Sequence, residues 1–520
     1  MPQHEPKNAP ELVFCLCAPV GSDLDAVQAE LTEQLHRVGY DAVQIHITDY
    51  LREIRPSPKA GEGFGDRVMR LIEEANALRE RIGVMAAMAY AALTMIRRER
   101  FRISGSETTL KPGVAYIVRQ LKRPEEIALL REVYGKRVFQ ISVHSETSRR
   151  RTRLVERMRD ADPAATRGRQ FENKAGELLD RDEFEGKVEH GQRLRDVFPL
   201  ADAFIDSDRT RDIGKTVERL VRLVFGYNYA SPTRDEHGMY LAKSAALRSL
   251  DLSRQVGAAV FSAEGEVKVL GTNEVPSRHG GTYWDGDEPE SREYVRGTDT
   301  NEEFKHKLLS DALHRLAEVG VVTEEYGALD SRSLLARIKT EKGVDLGKQL
   351  LLMDMIEYGR IIHAEMNAIT DAARLGISLK DATLFCTTFP CHLCAKHIIA
   401  AGIKRVVYIE PYPKSYATEL YPDEIVLGRP DTTTSPECDH GRVRFEPFIG
   451  IAPFRYRDFF EKQKRKGPDG RAQTWMAGTP VPIVGSDVEA YIVTEEQKVL
   501  HFASLLAATT PLEDSEGGSL

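Results

Sequence analysis

The chain has 520 residues, 41% hydrophobic and 29% charged, with a net charge of -8 at pH 7. That length exceeds a single hydrophobic core and predicts two or three domains, and the balance argues against a disordered chain or a basic nucleic-acid coat. Six cysteines in so long a chain, with no charged-then-apolar leader, fit a reducing cytoplasm without disulfides.

After about ten polar residues, an apolar run to Ala18, a Pro-Gly-Ser turn, an amphipathic stretch carrying Val27, Leu31 and Leu35 on one face, and "DAVQIHIT" form a β-loop-α-β unit. This opens a parallel α/β sheet. The longest nearly uncharged run, Ile82 to Ile96, is too short to span a bilayer and reads as one buried helix, so no membrane segment is expected. The strand runs "GVAYIVRQL", "RVFQISVH" and "ADAFIDSD" alternate with "PEEIALLREVYG" and "RRTRLVERMRD", which pattern as helices.

A second region begins near Pro232 with "DEHGMYLAKSAALRSLD" as a helix, then "QVGAAVFSAEG" and "EVKVLGTNEVP" as strands. A charged stretch with helical patterning, about 285–358, is too long for an ordinary loop and reads as an insertion. Helix, strand, helix and strand follow to Ile409, and a tail from about Gln463 is expected to add one strand and one helix. The expected domains are 1–228, 232–460 and a C-terminal extension, 461–520, in an α/β fold class.

The chemistry concentrates in "HAEMNAI" and "PCHLC". Zinc that activates water needs three protein ligands and an open position, and His363, Cys391 and Cys394 supply soft thiolates and a ring nitrogen. Glu365, two residues after the histidine at a helix start, is placed to shuttle protons without ligating the metal. Both cysteines open a helix, whose dipole favours thiolate. The pattern matches the H-x-E and P-C-x-x-C signature of zinc-dependent base deaminases, whereas a structural zinc knuckle would close its site with a fourth Cys or His. Lys414, in "YPKS" after the strand "RVVYIEP", and Arg254 beside "QVG" are candidate phosphate contacts. Cys15 and Cys17 read as core on one strand face, Cys386 as a buried apolar residue, and Cys438-Asp439-His440 as a loop or a second metal site.

From "SRQVGAAV" through "GTNEVP", "HAEMNAI" and "PCHLC", the region Tyr240 to Ile409 resembles the deoxycytidylate deaminases of the cytidine deaminase fold. The resemblance implies a mixed sheet of about five strands, zinc at two helix N-termini, a sugar 3′-hydroxyl contact from Asn273 and a pyrimidine contact from the backbone at Ala364. It implies zinc as cofactor, with Mg²⁺ accompanying a nucleotide. Glu274 stands where relatives with an allosteric nucleotide site have Gly.

The first-half turn "APVGSDLD" occupies the place of a phosphate-cradling Walker A loop, but Ala18, Asp23, Leu24 and Asp25 replace its two glycines, lysine and hydroxyl residue. Gly21 and Ser22 are all that remains of a nucleotide loop, so no kinase activity is expected and the first half is expected to gate the deaminase or assemble homo-oligomers. A nucleotide-kinase-like P-loop domain joined to this deaminase resembles the antiphage dCTP deaminases, which implies dCTP and dCMP as substrates and a small inhibitory RNA as partner. Between Ser148 and Arg169 eight Arg stand against three acids, a pattern that suits an RNA face, a kinase-like lid or a solvated helix. A salvage deaminase with an active kinase, a polynucleotide deaminase and a scaffold with structural zinc remain the alternatives.

Overall fold

The computed structural model describes residues 9–54, 62–161, 168–183, 185, 189–429, 441–462, 465–475, 480–484 and 489–509. The chain divides into two compact units, one of residues 1–236 with 449–520 and one of 237–448. The boundary expected at 460 therefore falls earlier, and the expected C-terminal extension belongs to the first unit. Cys438, Asp439 and His440 lie outside the described residues.

In the first unit β1 (Leu12–Cys17) is wholly buried, as a central parallel strand covered on both faces requires. Val13, Cys15 and Cys17 enter one core cluster and Leu12, Phe14 and Leu16 the other, the alternation that a strand imposes. With β2 (Asp41–His46), β3 (Val114–Arg119), β4 (Val138–His144) and β5 (Ala203–Asp206), it forms a parallel sheet in the order β5-β4-β1-β3-β2. Gly450–Ile451 adds an antiparallel edge beside β5. The strand expected in the tail is not found among the described residues there, which give an isolated bridge, Lys466 to Ala472, and the helix Glu489–Thr509. The run read as one buried helix is broken: a helix ends at Ile82, Gly83 turns the chain at φ 68°, and a new helix covers Ala87–Ser104. No described helix is long and apolar enough to cross a membrane.

That second helix carries Arg100, 1% exposed. Its guanidinium donates to Glu11 at 2.8 Å and to Glu495 of the C-terminal helix at 2.6 Å. Tyr116 and Tyr491 donate to Glu11, and Tyr134 to Glu495. The charges are thus paired and hydrogen-bonded, the condition under which buried ions persist.

The basic helix Thr147–Ala161 spends several arginines internally: Arg150 is buried, Arg153 pairs with Asp208 at 2.9 Å and Arg157 with Asp25 at 3.0 Å. Residues 162–167 of the basic stretch lie outside the described residues.

The second unit has a mixed sheet of β6 (Gly257–Phe261), β7 (Val267–Thr272), β8 (Thr383–Thr388), β9 (Arg405–Glu410), β10 (Ile425–Leu427) and β11 (Val443–Pro447). Their order is β10-β11-β9-β8-β6-β7, with β6 antiparallel to both neighbours and the rest parallel. Six strands replace the expected five or so because β11 extends the sheet beyond β9 and carries β10. The helices Ala364–Leu375 and His392–Ala400 pack through Ala364, Ala368, Ala372, Cys394, Ala395 and Ile398, and the alanines let backbone lie close to the sheet. The insertion is helical as expected, with Thr300–Glu318 and Ser331–Lys342 capped by the Asp299 and Asp330 side chains. Both units are α/β, as anticipated.

A close backbone approach occurs at Gly271, where a Cβ would lie 2.1 Å from the Ala364 carbonyl oxygen and 2.7 Å from the Ala368 nitrogen. Both neighbours are backbone atoms, so relief requires the helix to move. Gly271→Ala is expected to cost about 3 kcal/mol in chemical denaturation and to lower catalysis by displacing the helix start that bears Glu365; an unchanged midpoint would show the helix free to shift.

Candidate active site

Two helix N-termini meet behind the sheet. His363 is the N-cap of Ala364–Leu375 and Cys391 the N-cap of His392–Ala400, its sulfur accepting from the Cys394 amide at 3.4 Å. The Nδ1 of His363 lies 3.2 Å from Cys391 Sγ and 3.4 Å from Cys394 Sγ. The three ligand atoms all fall within 4.8 Å of one another, the only such His/Cys/Asp/Glu group among the described residues. Tetrahedral zinc with ordinary bond lengths places S and N about 3.5 Å apart, so donor chemistry and spacing both suit that ion.

The hydrogen bond from Cys394, aided by His363, outweighs burial and brings the Cys391 thiol down to about 4. Burial disfavours a charged His363 ring, but its hydrogen bond and attraction to Cys391 prevail and raise it to about 9. Burial pushes Cys394 up. Metal binding must therefore expel protons.

Glu365 lies in the first helical turn, 4% exposed, and is not one of the three metal-ligating residues. Burial raises its carboxyl, and the neighbouring Cys391 adds to the rise. A carboxyl so placed can both take up and release a proton.

His363, Ala364, Glu365 and Cys391 line a cavity of about 200 Å³, together with Asn273 and Arg254. The sequence expectations meet here except at Lys414, which pairs with Asp354 at 2.5 Å and is not among the cavity's lining residues. Asp354 belongs to the insertion. Arg254 is exposed, 5.7 Å above the Tyr412 ring. Asn273 has most of its amide committed: Oδ1 accepts from the Val256 amide at 2.7 Å, and Nδ2 donates to Asp251 and to the Arg254 carbonyl, both at 2.8 Å. Only the second lone pair of Oδ1 is left for a substrate hydroxyl.

Sequence reasoning missed the wall that the insertion and its flanks contribute: Glu293, Asp299, Asn301, Ile356 and Arg360. Arg360 faces Glu293 at 3.5 Å and donates to the Ser291 carbonyl at 3.0 Å. The insertion's length was the available signal. Gly21 and Ser22 belong to the first unit, where they line a separate cavity of about 450 Å³.

Residues 232–410 match the family model described as the cytidine and deoxycytidylate deaminase zinc-binding region. The chain is 42% identical over 80 residues to ComE operon protein 2 of Bacillus subtilis (strain 168), covering 15% of this chain and 42% of that protein. It is 54% identical over 54 residues to the deoxycytidylate deaminase of Enterobacteria phage T4, covering 10% and 28%. The chain thus spans less than half the length of either relative. Among solved structures, the dCMP deaminase of cyanophage S-TIM5 in complex with dCMP and dUMP aligns at 19% identity and TM-score 0.22, over 42% of this chain and 99% of that one. A gluconokinase from Sinorhizobium meliloti 1021 aligns at 15% identity and TM-score 0.21, over 42% and 96%. Residues 232–410 are thus similar to the zinc-binding region of the cytidine and deoxycytidylate deaminases.

Proposed function

We propose that the chain hydrolytically deaminates free deoxycytidine nucleotides, converting dCMP and dCTP to dUMP and dUTP. The observation that carries this reading is the trio of half-buried His363 and buried Cys391 and Cys394 beside a non-ligand Glu365, all facing one cavity except the fully buried Cys394. His363, Cys391 and Cys394 would hold zinc, which would supply the Lewis acidity that activates a water.

The rest is done by the chain. Glu365 takes the proton that the attacking water loses as its oxygen bonds to C4 of the cytosine ring, and delivers it to N3. The C4–N bond then breaks, the amine leaves as ammonia with a proton passed through Glu365, and the ring remains as uracil. The Ala364 backbone and the Phe389 face border the ring's space, and Asn273 offers its remaining lone pair to the sugar. Arg254 and Arg360 are the cationic groups of the lining and serve the phosphate. The lining carries two aromatic rings, Phe389 and Tyr412, and no run of stacked aromatics along a basic channel, which favours a free nucleotide over a polynucleotide.

At the level of the cell, this activity drains the deoxycytidine nucleotide pool during phage infection, with Mg²⁺ accompanying the nucleotide, a homo-oligomeric assembly and a small RNA as inhibitor. The resemblance of the two-unit chain supports that role.

Purified zinc-loaded protein should form uracil from dCMP and dCTP and be slower on deoxycytidine, CTP, single-stranded DNA and RNA. Conversion confined to DNA or RNA would overturn the nucleotide reading, and deoxycytidine turned over as fast as dCMP would remove the phosphate contact. Cys391→Ser is expected to reduce metal content well below about one zinc per chain in elemental analysis, with activity falling in parallel; full zinc occupancy in that variant would contradict the ligand assignment.

A further inference from the structure

The cavity of the first unit lies at the carboxyl end of β1, where a parallel α/β sheet places its ligands. A phosphate cradle works by leaving loop N–H groups free to point at the anion. Here the amides of Val20, Ser22, Asp23, Leu24 and Ala26 are engaged within the chain. The Val20 amide donates to Asp182 Oδ2 at 2.6 Å. The Ser22 amide bonds the Pro19 carbonyl at 3.2 Å, and the Leu24 amide the Ser22 carbonyl at 3.0 Å. Asp23 reaches Ser207 through its amide and caps the following helix by accepting from the Ala26 amide.

Asp182 ends up 2% exposed near the C-terminus of the helix Gly168–Glu183, with both carboxylate oxygens in use. Lys122 donates to its Oδ1 at 2.7 Å and to the Ala18 carbonyl at 2.7 Å, so a single ammonium ties the acid to the loop. The other side of the loop is blocked as well. Gly21 has φ +86°, and a Cβ there would meet the Arg150 carbonyl oxygen at 2.7 Å, because the basic helix lies directly on it. A phosphate has no room on that face. Beyond the seat the cavity lining carries Arg52, Arg67, Arg119 and Arg157 against Asp49, with Asp25 pairing Arg119 at 2.8 Å and Arg157 at 3.0 Å, so cations still outnumber acids there. The buried Ser22 Oγ and Gln192 Oε1, which also belong to lining residues, have no hydrogen-bond partner.

We propose that this loop is a self-occupied anion seat. The carboxylate of Asp182 takes the position of an anionic ligand between the Val20 amide and Lys122, and keeps phosphates off the loop. The nucleotide polyphosphate that a Walker A loop would hold does not fit the residues present. Removing the internal carboxylate exposes an amide, an ammonium and a cationic cavity, which together form an anion site.

The test uses the full chain and tripolyphosphate as probe. Isothermal titration should show no saturable binding to the wild type at millimolar concentration. Asp182→Ala should gain binding by about 10- to 100-fold, the worth of a charge-assisted hydrogen bond, and adding Lys122→Met should abolish that gain. Wild-type binding as tight as that of Asp182→Ala, a folded Asp182→Ala with no gain, or a gain that survives Lys122→Met would each overturn the proposal. Should Asp182→Ala not fold, hydrogen exchange of the wild type decides. Residues 18–24 should exchange equally with and without tripolyphosphate, and protection on adding it would refute the internal occupancy.

Discussion

Glu365→Gln is expected to lower kcat on dCMP by about 10²- to 10⁴-fold, the range that a positioned acid-base group contributes, while zinc content stays at the wild-type level. The amide keeps the shape of the side chain but cannot carry the proton from water to N3 and then to the amine. Because Glu365 is buried and is not among the ligating residues, the loss should fall on kcat and leave KM little changed. Elemental analysis and ammonia release on the same preparation separate the two roles. Zinc lost together with activity would make Glu365 a ligand, and activity within a few-fold of wild type would remove it from the mechanism.

Arg100→Met should destabilise the first unit by about 3–5 kcal/mol, the cost of stripping one partner from a buried ion cluster. The methionine leaves Glu11 and Glu495 facing each other in the core, 2% and 0% exposed, with only tyrosine hydroxyls for partners. Burial already raises the Glu495 carboxyl, and Arg100 is the first opposing influence. Without it the folded-state pKa rises further above the unfolded value. The lost stability is then largest at neutral pH and shrinks as pH falls through the carboxylate range, where both states hold the proton. Urea melts at neutral and acidic pH measure this, as does proteolysis of the helix Glu489–Thr509, which Glu495 anchors. A deficit independent of pH would point to lost packing.

What the sequence made legible was local. β1 announces itself through six consecutive apolar residues, and its alternation assigns Cys15 and Cys17 to one face. The metal trio is readable because each ligand sits at or near a helix start, where spacing along the chain and position in space nearly coincide. Legibility ends where partners are distant. Arg100 and Glu495 are 395 residues apart, and nothing local in either helix tells of the other. Gly450–Ile451 is too short to show a period, so its place at the edge of the first sheet could not be foreseen. Position alone points Lys414 towards a phosphate, and its ion pair with Asp354 of the insertion has no local signal. The insertion's mixture of acids and bases likewise concealed that Glu293, Asp299 and Asn301 would face the cavity. The degenerate loop reads as weak from its missing lysine, whereas its engagement by Asp182 depends on a helix some 160 residues on, Val20 and Asp182 being 162 apart.

If the second unit's cavity deaminates cytosine in a free nucleotide with zinc held by His363, Cys391 and Cys394, activity must follow the metal. The purified chain is stripped of metal, zinc alone is restored, and dCMP is followed by mass spectrometry and released ammonia. No turnover is expected in the stripped protein and, after zinc is restored, dUMP and ammonia should appear in equal amounts. A folded, fully zinc-loaded chain that leaves dCMP and dCTP unchanged would contradict that assignment.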